Sequence, residues 1–454
     1  MKDRFIDIFR SIYLEEGGIF IDTPAITPAK VFQASGHIEK FEDMAVKCPS
    51  CGKFSKIESS MKASGISNAT ISMENAKKLI SESLLKCPLC GHPVSEVEMM
   101  NLMFRIPRRE DQNPYYLRPE TAQGIFVNYK LLLNQNRGKL PMIVCQYGKG
   151  YRNEISPRQA LIRQREFFMA EVESFIDPDM EWDRDPDSSN AVRFLANSGR
   201  ETLCTPAEAL SSGIVSSKPM AYFIGITHKL LRRCGIRENH LRFRQHAKDE
   251  LAHYSKDCWD AEAFMDDGWV EIVGIADRGD YDLRRHSEFS GEDFQTEGKK
   301  LPFVIEPAHG VDRIILAAMN SSYTKSDKGF KVMKLSPLIS PYIAAVMPLQ
   351  ARDGLDAIAT DFYRKLLALN SYVCYDESGS IGRRYARQDE IGTPFCFTVD
   401  YQTRDDGTVT LRERDTRVQK RYLMKDILSF PVLKNPLIMD DFGKINPDAA
   451  ALLS

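Results

Sequence analysis

Two adjacent segments carry the residue types that could bind a nucleotide. Arg152 and Glu154 lie two residues apart in the run YGKGYRNE, so in a strand both side chains would point to one face. A returning strand would place Phe167, Glu171 and Glu173 on one face as well. A guanidinium can bind phosphate, a carboxylate can accept from an exocyclic amine, and a ring can stack on a base. A surface hairpin whose charges pair with each other has the same pattern, so both interpretations stay open.

Four of the ten cysteines fall in two Cys-x-x-Cys pairs, CPSCG and CPLCG. The pairs are Cys48 with Cys51, and Cys87 with Cys90. Four thiolates in such turns can close a tetrahedral zinc site, and the glycine after each pair permits the turn. With four protein ligands the metal would be structural. Reduced thiols without a metal are the alternative.

The composition is that of an ordinary globular protein, with 43% apolar and 27% charged residues among 454. This length allows two or three domains with sizeable cores. The net charge of −2 gives no overall attraction to nucleic acid, so any such surface must be a local basic patch. The first residues alternate charged and apolar types at helical spacing. That pattern indicates neither a signal peptide nor a membrane span, and we expect a cytoplasmic protein without membrane contact.

The segments before the hairpin predict elements that would hold a further carboxylate. Residues 3–15 predict an amphipathic helix, and residues 18–23 predict a strand. Residues 122–133 predict a helix capped by Thr121, which would fix Glu120 beside a helix start. A capping carboxylate with no ligand is the simpler interpretation of Glu120.

A second possible site segment spans residues 301–318. A strand is predicted to end at Glu306, Gly310 allows a close approach, and Arg313 opens an apolar helix. An arginine at a helix start is otherwise often a solvated charge. His246 and His253 have no companions at zinc spacing, so we expect both to be structural.

From about residue 335 the pattern changes to alternating strands and helices, which predicts a separate α/β domain. Residues 416–428 are predicted to form one of its helices. Its basic residues are Arg383, Arg384, Arg387, Arg412, Arg414, Arg417, Lys420 and Arg421. They favour a nucleic-acid surface, with a solvated helix face as the alternative. The sequence has neither a GxxxxGK[ST] loop nor a GxGxxG run after a strand, so a nucleotide site would be of another type.

These segments resemble the three motifs of class II aminoacyl-tRNA synthetases. Residues 21–41 resemble the first motif, residues 152–167 the second, and residues 301–318 the third. The loop ISPRQALIRQREF and the run YLRPETAQGIFVNYK resemble the glycyl-tRNA synthetases of the archaeal and eukaryotic type in particular. The resemblance covers nearly the whole chain.

The resemblance implies an α+β fold. A class II catalytic domain with an antiparallel sheet would occupy residues 1–333, with a zinc-binding insertion at 46–97 and a variable insertion at 177–255. An α/β anticodon-binding domain would occupy residues 334–454. The chain would pair as a homodimer, because the first motif helps to build the dimer interface in this family.

The implied activity is that of a glycine–tRNA ligase. Glycine would be activated by ATP with Mg²⁺ to glycyl-adenylate and then transferred to the 3′-terminal ribose of tRNA, with Zn²⁺ as a structural ion. By the resemblance, the residues that bind ATP are Arg152, Asn153, Glu154, Arg163, Phe167, Glu271, Ile272, Gly310 and Arg313. Those that bind glycine are Glu120, Glu171, Glu306 and Ala308. Arg152 and Arg313 would be the catalytic residues, because this chemistry depends on positioning and on neutralising charge at phosphorus.

The sequence departs from the family pattern at three places. It starts downstream of a FYDYGPLG-like segment that usually precedes the first helix. Ala308 stands where the family usually has serine, which removes one hydroxyl from the amino-acid pocket. Lys56 stands in place of an arginine in a RADH-like run, so the charge is kept and the planar fork is lost.

Two other functions are compatible with a synthetase-like fold. One is a non-catalytic paralogue that acts as a nucleic-acid-binding accessory protein, and the other is an adenylating enzyme with a different acceptor. The first predicts loss of the ATP residues. Retention of Arg152, Glu154, Phe167, Glu271 and Arg313 together argues against it.

Overall fold

The structure is a computed structural model that describes residues 1–66, 71–107, 114–157, 161–252, 255–266, 268–296, 298–325, 329–430 and 433. In these residues the strands are β1 (Ile19–Phe20), β2 (Ile26–Pro28), β3 (Glu42–Lys47), β4 (Phe54–Lys56), β5 (Glu96–Asn101), β6 (Phe104–Ile106), β7 (Tyr115–Leu117), β8 (Met142–Tyr151), β9 (Glu166–Ile176), β10 (Val192–Leu195), β11 (Glu201–Cys204), β12 (Leu241–Gln245), β13 (Asp257–Met265), β14 (Gly268–Gly279), β15 (Phe303–Gly310), β16 (Tyr323–Lys325), β17 (Lys331–Met333), β18 (Ala344–Pro348), β19 (Val373–Tyr375), β20 (Phe395–Val399), β21 (Thr408–Glu413) and β22 (Gln419–Leu423). The helices are α1 (Lys2–Glu15), α2 (Ala29–Ala34), α3 (His37–Lys40), α4 (Ile57–Ala63), α5 (Met73–Ser81), α6 (Ala122–Val127), α7 (Tyr129–Gln135), α8 (Pro206–Ser211), α9 (Lys218–Arg233), α10 (Tyr281–Ser290), α11 (Val311–Ser322), α12 (Leu355–Leu369), α13 (Ile381–Ile391), α14 (Tyr401–Asp406) and α15 (Met424–Ile427), with a 3₁₀ turn at Glu238–His240.

A nine-stranded sheet forms the centre of the molecule. Its strand order is β1-β8-β9-β15-β14-β13-β12-β10-β11. The pairs β1–β8 and β10–β12 are parallel, and the other pairs in this sheet are antiparallel. The predicted hairpin is confirmed as β8 and β9, which are in register from Met142↔Phe175 to Tyr151↔Glu166.

Alternation along β8 divides the apolar residues between the two faces of this sheet. Ile143 and Cys145 lie in the main core, to which α1, α9 and α11 contribute residues such as Phe9. Met142 and Val144 point the other way and lie in a second core with residues of α6 and α7. Both faces of the central strands are therefore covered by helices, except where the cavity described below opens.

Three predicted elements differ from the structure. The first strand is shorter than residues 18–23. The helix predicted over 122–133 breaks at Asn128, whose Nδ2 donates to the carbonyl of Gly124 at 2.8 Å and so competes with a helical hydrogen bond. The strand predicted to end at Glu306 continues to Gly310, because residues 308–310 pair with β9 and residues 308 and 309 also pair with β14. The pairing of β15 with β9 is interrupted only at 306 and 307.

The four cysteines lie in a small module built on the three-stranded sheet β4-β3-β5. Its core contains Cys48, Cys87 and apolar residues of the strands and of α4 and α5, among them Val46 and Ile57. The segment 177–255, expected as a variable insertion, contributes β10, β11 and β12 to the central sheet and α9 to the main core.

The C-terminal part has a five-stranded sheet with the order β19-β18-β20-β21-β22. Strands β19, β18 and β20 are parallel, and β21 and β22 are antiparallel additions. The alternating pattern is confirmed, but the helix predicted over 416–428 is wrong. That segment forms β22 and the short α15, because each of the residues 419–423 pairs with a residue of β21.

Fewer basic residues of the C-terminal part are exposed for binding nucleic acid than the sequence predicted. Arg384, Arg412 and Arg414 are buried, so they do not form a surface for nucleic acid. Arg412 is bound to Asp389 by two hydrogen bonds of 2.8 and 2.9 Å, and Arg414 donates to backbone carbonyls. Arg387 and Arg421 are paired with aspartates. Arg383, Arg417 and Lys420 are exposed.

Candidate active site

A cavity of about 360 Å³ opens on the central sheet between the β8–β9 hairpin and strands β13 to β15. It brings together twelve of the thirteen residues predicted to bind ATP or glycine: Glu120, Arg152, Glu154, Arg163, Phe167, Glu171, Glu271, Ile272, Glu306, Ala308, Gly310 and Arg313. Asn153 lies in a neighbouring groove instead, and its backbone N–H donates to the carbonyl of Leu102 at 2.7 Å.

The hairpin presents Arg152 and Phe167 on one surface. The Arg152 guanidinium lies 5.2 Å from the ring centres of both Phe41 and Phe167, and its Nε donates to the carbonyl of Pro119 at 3.2 Å. Gly150 is required beside this ring, because a Cβ there would come within 2.8 Å of Phe167. Glu154 lies 3.9 Å from Arg163 and Lys149 pairs with Glu166, so some hairpin charges do pair, but no ion pair joins Arg152 to a carboxylate in the described residues.

Arg313 lies at the start of α11 and reaches back to β14. Its Nη1 donates to the Glu271 carboxylate at 3.2 Å and to the Glu271 carbonyl at 2.9 Å. Its Nε donates to the carbonyl of Ile162 in the hairpin loop at 3.1 Å. Gly310 keeps the turn close to β14, since a Cβ would lie 3.3 Å from the carbonyl of Ile272. Arg313 therefore joins three segments at the cavity wall.

Three buried carboxyl groups, Glu120, Glu171 and Glu306, lie at the floor of the cavity. Glu171 accepts from both the backbone N–H and the hydroxyl of Thr121. Thr121 is the N-cap residue of α6 as predicted, but its hydroxyl makes no capping bond to the helix because it donates to Glu171. Ala308 pairs with Glu171 across the sheet, so the position where the family has serine lies at this floor.

The buried carboxyl groups differ in their pKa values. Burial raises the pKa of Glu306 to about 8, against the opposing effect of Arg278. Burial, together with repulsion from Glu120, also raises the pKa of Glu171. The pKa of Glu120 is lowered, because His37 and Arg278 outweigh the effect of its burial. These shifts favour the ionised form of Glu120 and the neutral forms of Glu171 and Glu306.

The arginine that compensates these charges was not singled out from the sequence. Arg278 is 1% exposed, and its Nη1 donates to Glu306 at 2.7 Å. Its Nε donates to Asp282 at 2.7 Å. In the sequence the only sign of this pair is the four-residue spacing of Arg278 and Asp282, which lie at the end of β14 and the start of α10. His37 was also missed; its Nε2 is 3.4 Å from Glu120.

His246 has a carboxylate partner, as a structural histidine would, and also neighbours that the sequence did not indicate. It lines the cavity, and its Nε2 lies 2.7 Å from Asp260, a contact that raises the pKa of His246. Ligand atoms of His246, Cys258 and Asp260 lie within 4.8 Å of one another, so the histidine does have companions. The Arg244 guanidinium, 3.2 Å from Asp260, already compensates that carboxylate. His253 lies outside the described residues.

The sulfur atoms of Cys48, Cys51, Cys87 and Cys90 lie within 4.8 Å of one another. The Cys48–Cys90 distance is 3.5 Å and the Cys51–Cys87 distance is 3.8 Å, which fits a tetrahedral thiolate site. The glycine after each pair has a positive φ, +69° at residue 52 and +74° at residue 91, as the predicted turns require. All ten cysteines are free thiols.

The family comparisons agree with this arrangement. Residues 104–322 match the family model described as the tRNA synthetase class II core domain (G, H, P, S and T), and residues 344–434 match the anticodon binding domain. A solved prolyl-tRNA synthetase of Giardia lamblia, in complex with prolyl-adenylate, aligns with a TM-score of 0.56 at 12% identity, over 94% of this chain and 68% of that one. The fold is that of a class II aminoacyl-tRNA synthetase.

Similarity to curated proteins shows which family of class II synthetases the chain belongs to. The glycine–tRNA ligase of Archaeoglobus fulgidus is 35% identical, with 98% of this chain and 93% of the relative aligned. That of Pyrococcus furiosus is 38% identical, with 92% of this chain and 89% of the relative aligned. The chain belongs to the glycine–tRNA ligase family. None of its described helices has the length and apolar character needed to cross a bilayer.

Proposed function

We propose that this protein is an ATP-dependent glycine–tRNA ligase, which makes glycyl-adenylate and transfers the glycyl group to the 3′-terminal ribose of tRNA. The observation that carries this proposal is the cavity floor of three buried carboxyl groups, Glu120, Glu171 and Glu306. It lies below two arginines, Arg152 and Arg313, that line the same cavity. Such a site fits a small ammonium-bearing substrate next to a polyphosphate.

In the first step a glycine carboxylate oxygen attacks the α-phosphorus of ATP. The new C–O–P bond forms as the bond to the β-phosphate bridging oxygen breaks, and pyrophosphate leaves. Arg152 would neutralise charge at the α-phosphate, and Arg313 would bind the leaving polyphosphate, where Mg²⁺ supplies further charge neutralisation. The protein needs no general base for this step, because the attacking carboxylate is already ionised.

The remaining ATP contacts come from the hairpin and from β14. Phe167 would stack on adenine, and Glu154 would accept a hydrogen bond from the exocyclic amine. Glu271, whose carboxylate accepts from Arg313 at 3.2 Å, would contact ATP or its Mg²⁺. The further proposed ATP contacts are Asn153, Arg163, Ile272 and Gly310, with Asn153 acting from the neighbouring groove.

Glycine would bind with its ammonium group toward the three buried carboxyl groups. The ionised Glu120 supplies the attraction, and Glu171 and Glu306 supply further acceptors. Ala308 lies between them on β15 and leaves the pocket without the serine hydroxyl of the family. Selectivity would rest on a small pocket that excludes larger side chains.

The four-cysteine cluster would hold a structural Zn²⁺ through Cys48, Cys51, Cys87 and Cys90. Four thiolates satisfy the ion, which leaves no coordination site for substrate. The ion would therefore stabilise the small module, whose core is built around two of these cysteines.

The proposed domain limits are residues 1–333 for the catalytic domain and 334–454 for the anticodon-binding domain. The two family models, at 104–322 and 344–434, fall on either side of this boundary and support it. Within the first domain, 46–97 is the zinc module and 177–255 the variable segment. The tRNA anticodon would bind the second domain, and we also propose a homodimer. A cytoplasmic location fits the ten unpaired thiols, which a reducing compartment maintains.

A non-catalytic accessory role is the weaker candidate. Such a paralogue would be expected to lose the ATP residues, whereas Arg152, Phe167 and Arg313 line one cavity together. The relatives at 35–38% identity carry the name of the ligase.

Charging of tRNA with labelled glycine tests the proposal. The wild-type chain, with ATP and Mg²⁺, should form acid-stable, base-labile glycyl-tRNA, and Arg313→Ala should lower the rate by at least about a hundredfold. Arg364→Ala, at an exposed arginine on α12, is the matched control and should retain the rate. Zinc-loaded, folded protein that forms glycyl-adenylate but never glycyl-tRNA would overturn the acceptor assignment.

A further inference from the structure

A lysine of the cysteine module lies beside Glu154, a residue that lines the cavity. Lys56 is the last residue of β4, and its Nζ pairs with Asp43 on β3. The same Nζ lies 3.9 Å from Glu154 Oε2, at the end of the hairpin. A second contact lies close by. Ser156, two residues after Glu154, donates through its Oγ to the carbonyl of Phe54, two residues before Lys56, at 3.2 Å. The module and the hairpin are therefore in direct side-chain contact beside the cavity.

Glu154 is charge-compensated but keeps a free acceptor. Its side chain is 11% exposed, and two cations lie 3.9 Å from Oε2: Lys56 Nζ and Arg163 Nε. A distance of 3.9 Å is too long for a hydrogen bond. Oε2 is buried, and no hydrogen bond to it is formed within the described part of the chain. A buried carboxylate needs nearby positive charge, so the two cations hold Oε2, while the Glu154 side chain as a whole still lines the cavity.

Lys56 is the better placed of the two cations. Its side chain is 16% exposed, against 35% for Arg163, so its interaction with Glu154 is less screened by water. A lysine stem is flexible and gives little positional control unless its ammonium group is anchored. Asp43 provides that anchor from the adjacent strand of the module.

We propose that Lys56 is a positioning residue for nucleotide recognition. It holds the Glu154 carboxylate at the cavity wall, where the carboxylate accepts a hydrogen bond from the 6-amino group of adenine. This inference rests on the proposed function, and it adds a second task to the cysteine module: the module supplies the charge that sets the base-reading group. Lys56 itself does not touch the reacting atoms.

The mechanism predicts discrimination by the 6-substituent of the purine. Adenine presents an amine to Glu154, whereas hypoxanthine presents a carbonyl oxygen, which cannot donate to a carboxylate. Inosine triphosphate therefore gains nothing from a correctly held Glu154. Loss of Lys56 should affect ATP and leave the weaker use of inosine triphosphate unchanged.

The test measures glycine-dependent pyrophosphate exchange with ATP and with inosine triphosphate in Lys56→Gln. We expect the KM for ATP to rise by about tenfold, with kcat within about twofold and the KM for inosine triphosphate unchanged. Lys56→Arg should keep the wild-type KM for ATP, because arginine carries the same positive charge. Lys62→Gln, at an exposed lysine on α4 of the same module, is the matched control.

A double-mutant cycle with Glu154→Gln separates positioning from general damage. If Lys56 acts through Glu154, the Lys56→Gln effect on the KM for ATP should vanish in the Glu154→Gln background. An unchanged KM for ATP in Lys56→Gln, an equal loss for both nucleotides, or additive effects in the cycle would each overturn the inference. Absence of exchange in the wild-type protein would instead refute the proposed function, so the two failures are distinguishable.

Discussion

The charge of the substrate pocket depends on one buried arginine. Arg278 is hydrogen-bonded to Glu306 and Asp282, and it lies 3.8 Å from Glu120. Without this cation the pocket would hold several buried carboxyl groups whose mutual repulsion opposes folding. With it, Glu120 stays ionised while Glu306 titrates near neutrality. The pocket can thus attract an ammonium group without a large excess of buried negative charge.

Replacement of Arg278 by methionine should be strongly destabilising. It leaves Asp282 and Glu306 buried without their partner, a change that typically costs about 3–5 kcal/mol. Urea unfolding followed by circular dichroism measures this loss. Arg284→Met, at an exposed arginine on α10, should change the free energy of unfolding by less than about 0.5 kcal/mol. Equal stability of the two variants would contradict the role of Arg278.

The raised pKa of Glu306 predicts a pH dependence of glycine affinity. An acid with a pKa of about 8 is mostly protonated at neutral pH, and an ammonium group binds its ionised form better. The KM for glycine should therefore fall as pH rises, by about fivefold between about pH 7 and about pH 8, and then level off. Glu306→Gln cannot ionise and should show a flat profile at a higher KM. A parallel pH profile in the variant would assign the titration to another group.

At the level of elements, the hairpin was the most predictable part of the molecule. The alternation of residues 167–175 and the apolar run of β8 predict paired strands, and the register confirms them. The zinc-type cysteine turns were predictable for the same reason, since their spacing is local. Errors arose where long-range pairing overrides local pattern. Residues 419–423 form a strand because β21 pairs with them. The Thr121 hydroxyl donates to Glu171 and does not cap the helix.

The buried partners in the site could not be found from the sequence in the same way. Arg278, His37 and Glu120 come from three distant segments, and only the folded sheet brings them together. Motif resemblance located the residues expected to touch substrates. It gave no information on the groups that set their charges, because such groups are defined by contacts between segments.

The cysteine module gives a prediction at the same scale. Cys48→Ser removes one of four thiolates and should lower the zinc content, about one ion per chain in the wild type, to near zero. Because the module core is built on these cysteines, residues 46–97 should become sensitive to limited proteolysis. Cys204→Ser, outside the cluster, is the control. Zinc content by mass spectrometry is the direct readout, and retained stoichiometric zinc in Cys48→Ser would contradict the site.

On the scale of the whole molecule, α1 connects the two domains. Arg4 donates to the carbonyl of Pro337 at 3.0 Å, and its guanidinium lies 4.5 Å from the Tyr372 ring centre. At the helix start, Lys2 pairs with Asp312, whose other oxygen accepts from the backbone N–H of Phe168 in the hairpin. The main core also runs continuously from the central sheet into the C-terminal part. The interface between the two domains therefore contains both polar contacts and packed apolar side chains.

The burial of three arginines changes which basic residues should bind tRNA. Arg417 and Lys420 are exposed, so replacing both by alanine should weaken tRNA binding by about tenfold and reduce its salt dependence. Arg412→Ala leaves Asp389 without its partner and should mainly destabilise the domain. Filter binding across a salt series, with thermal unfolding beside it, separates the two effects. Unchanged binding in the double variant would place the tRNA surface elsewhere.

The most direct test of the central claim is glycine-dependent exchange of labelled pyrophosphate into ATP. Folded, zinc-loaded protein should show exchange with glycine, little with alanine or serine, and a loss of at least about a hundredfold in Arg152→Ala. That result would establish adenylation of glycine in the cavity that contains Glu120, Glu171 and Glu306. Exchange that is absent, or equal for all three amino acids, would contradict the assignment of this pocket to glycine.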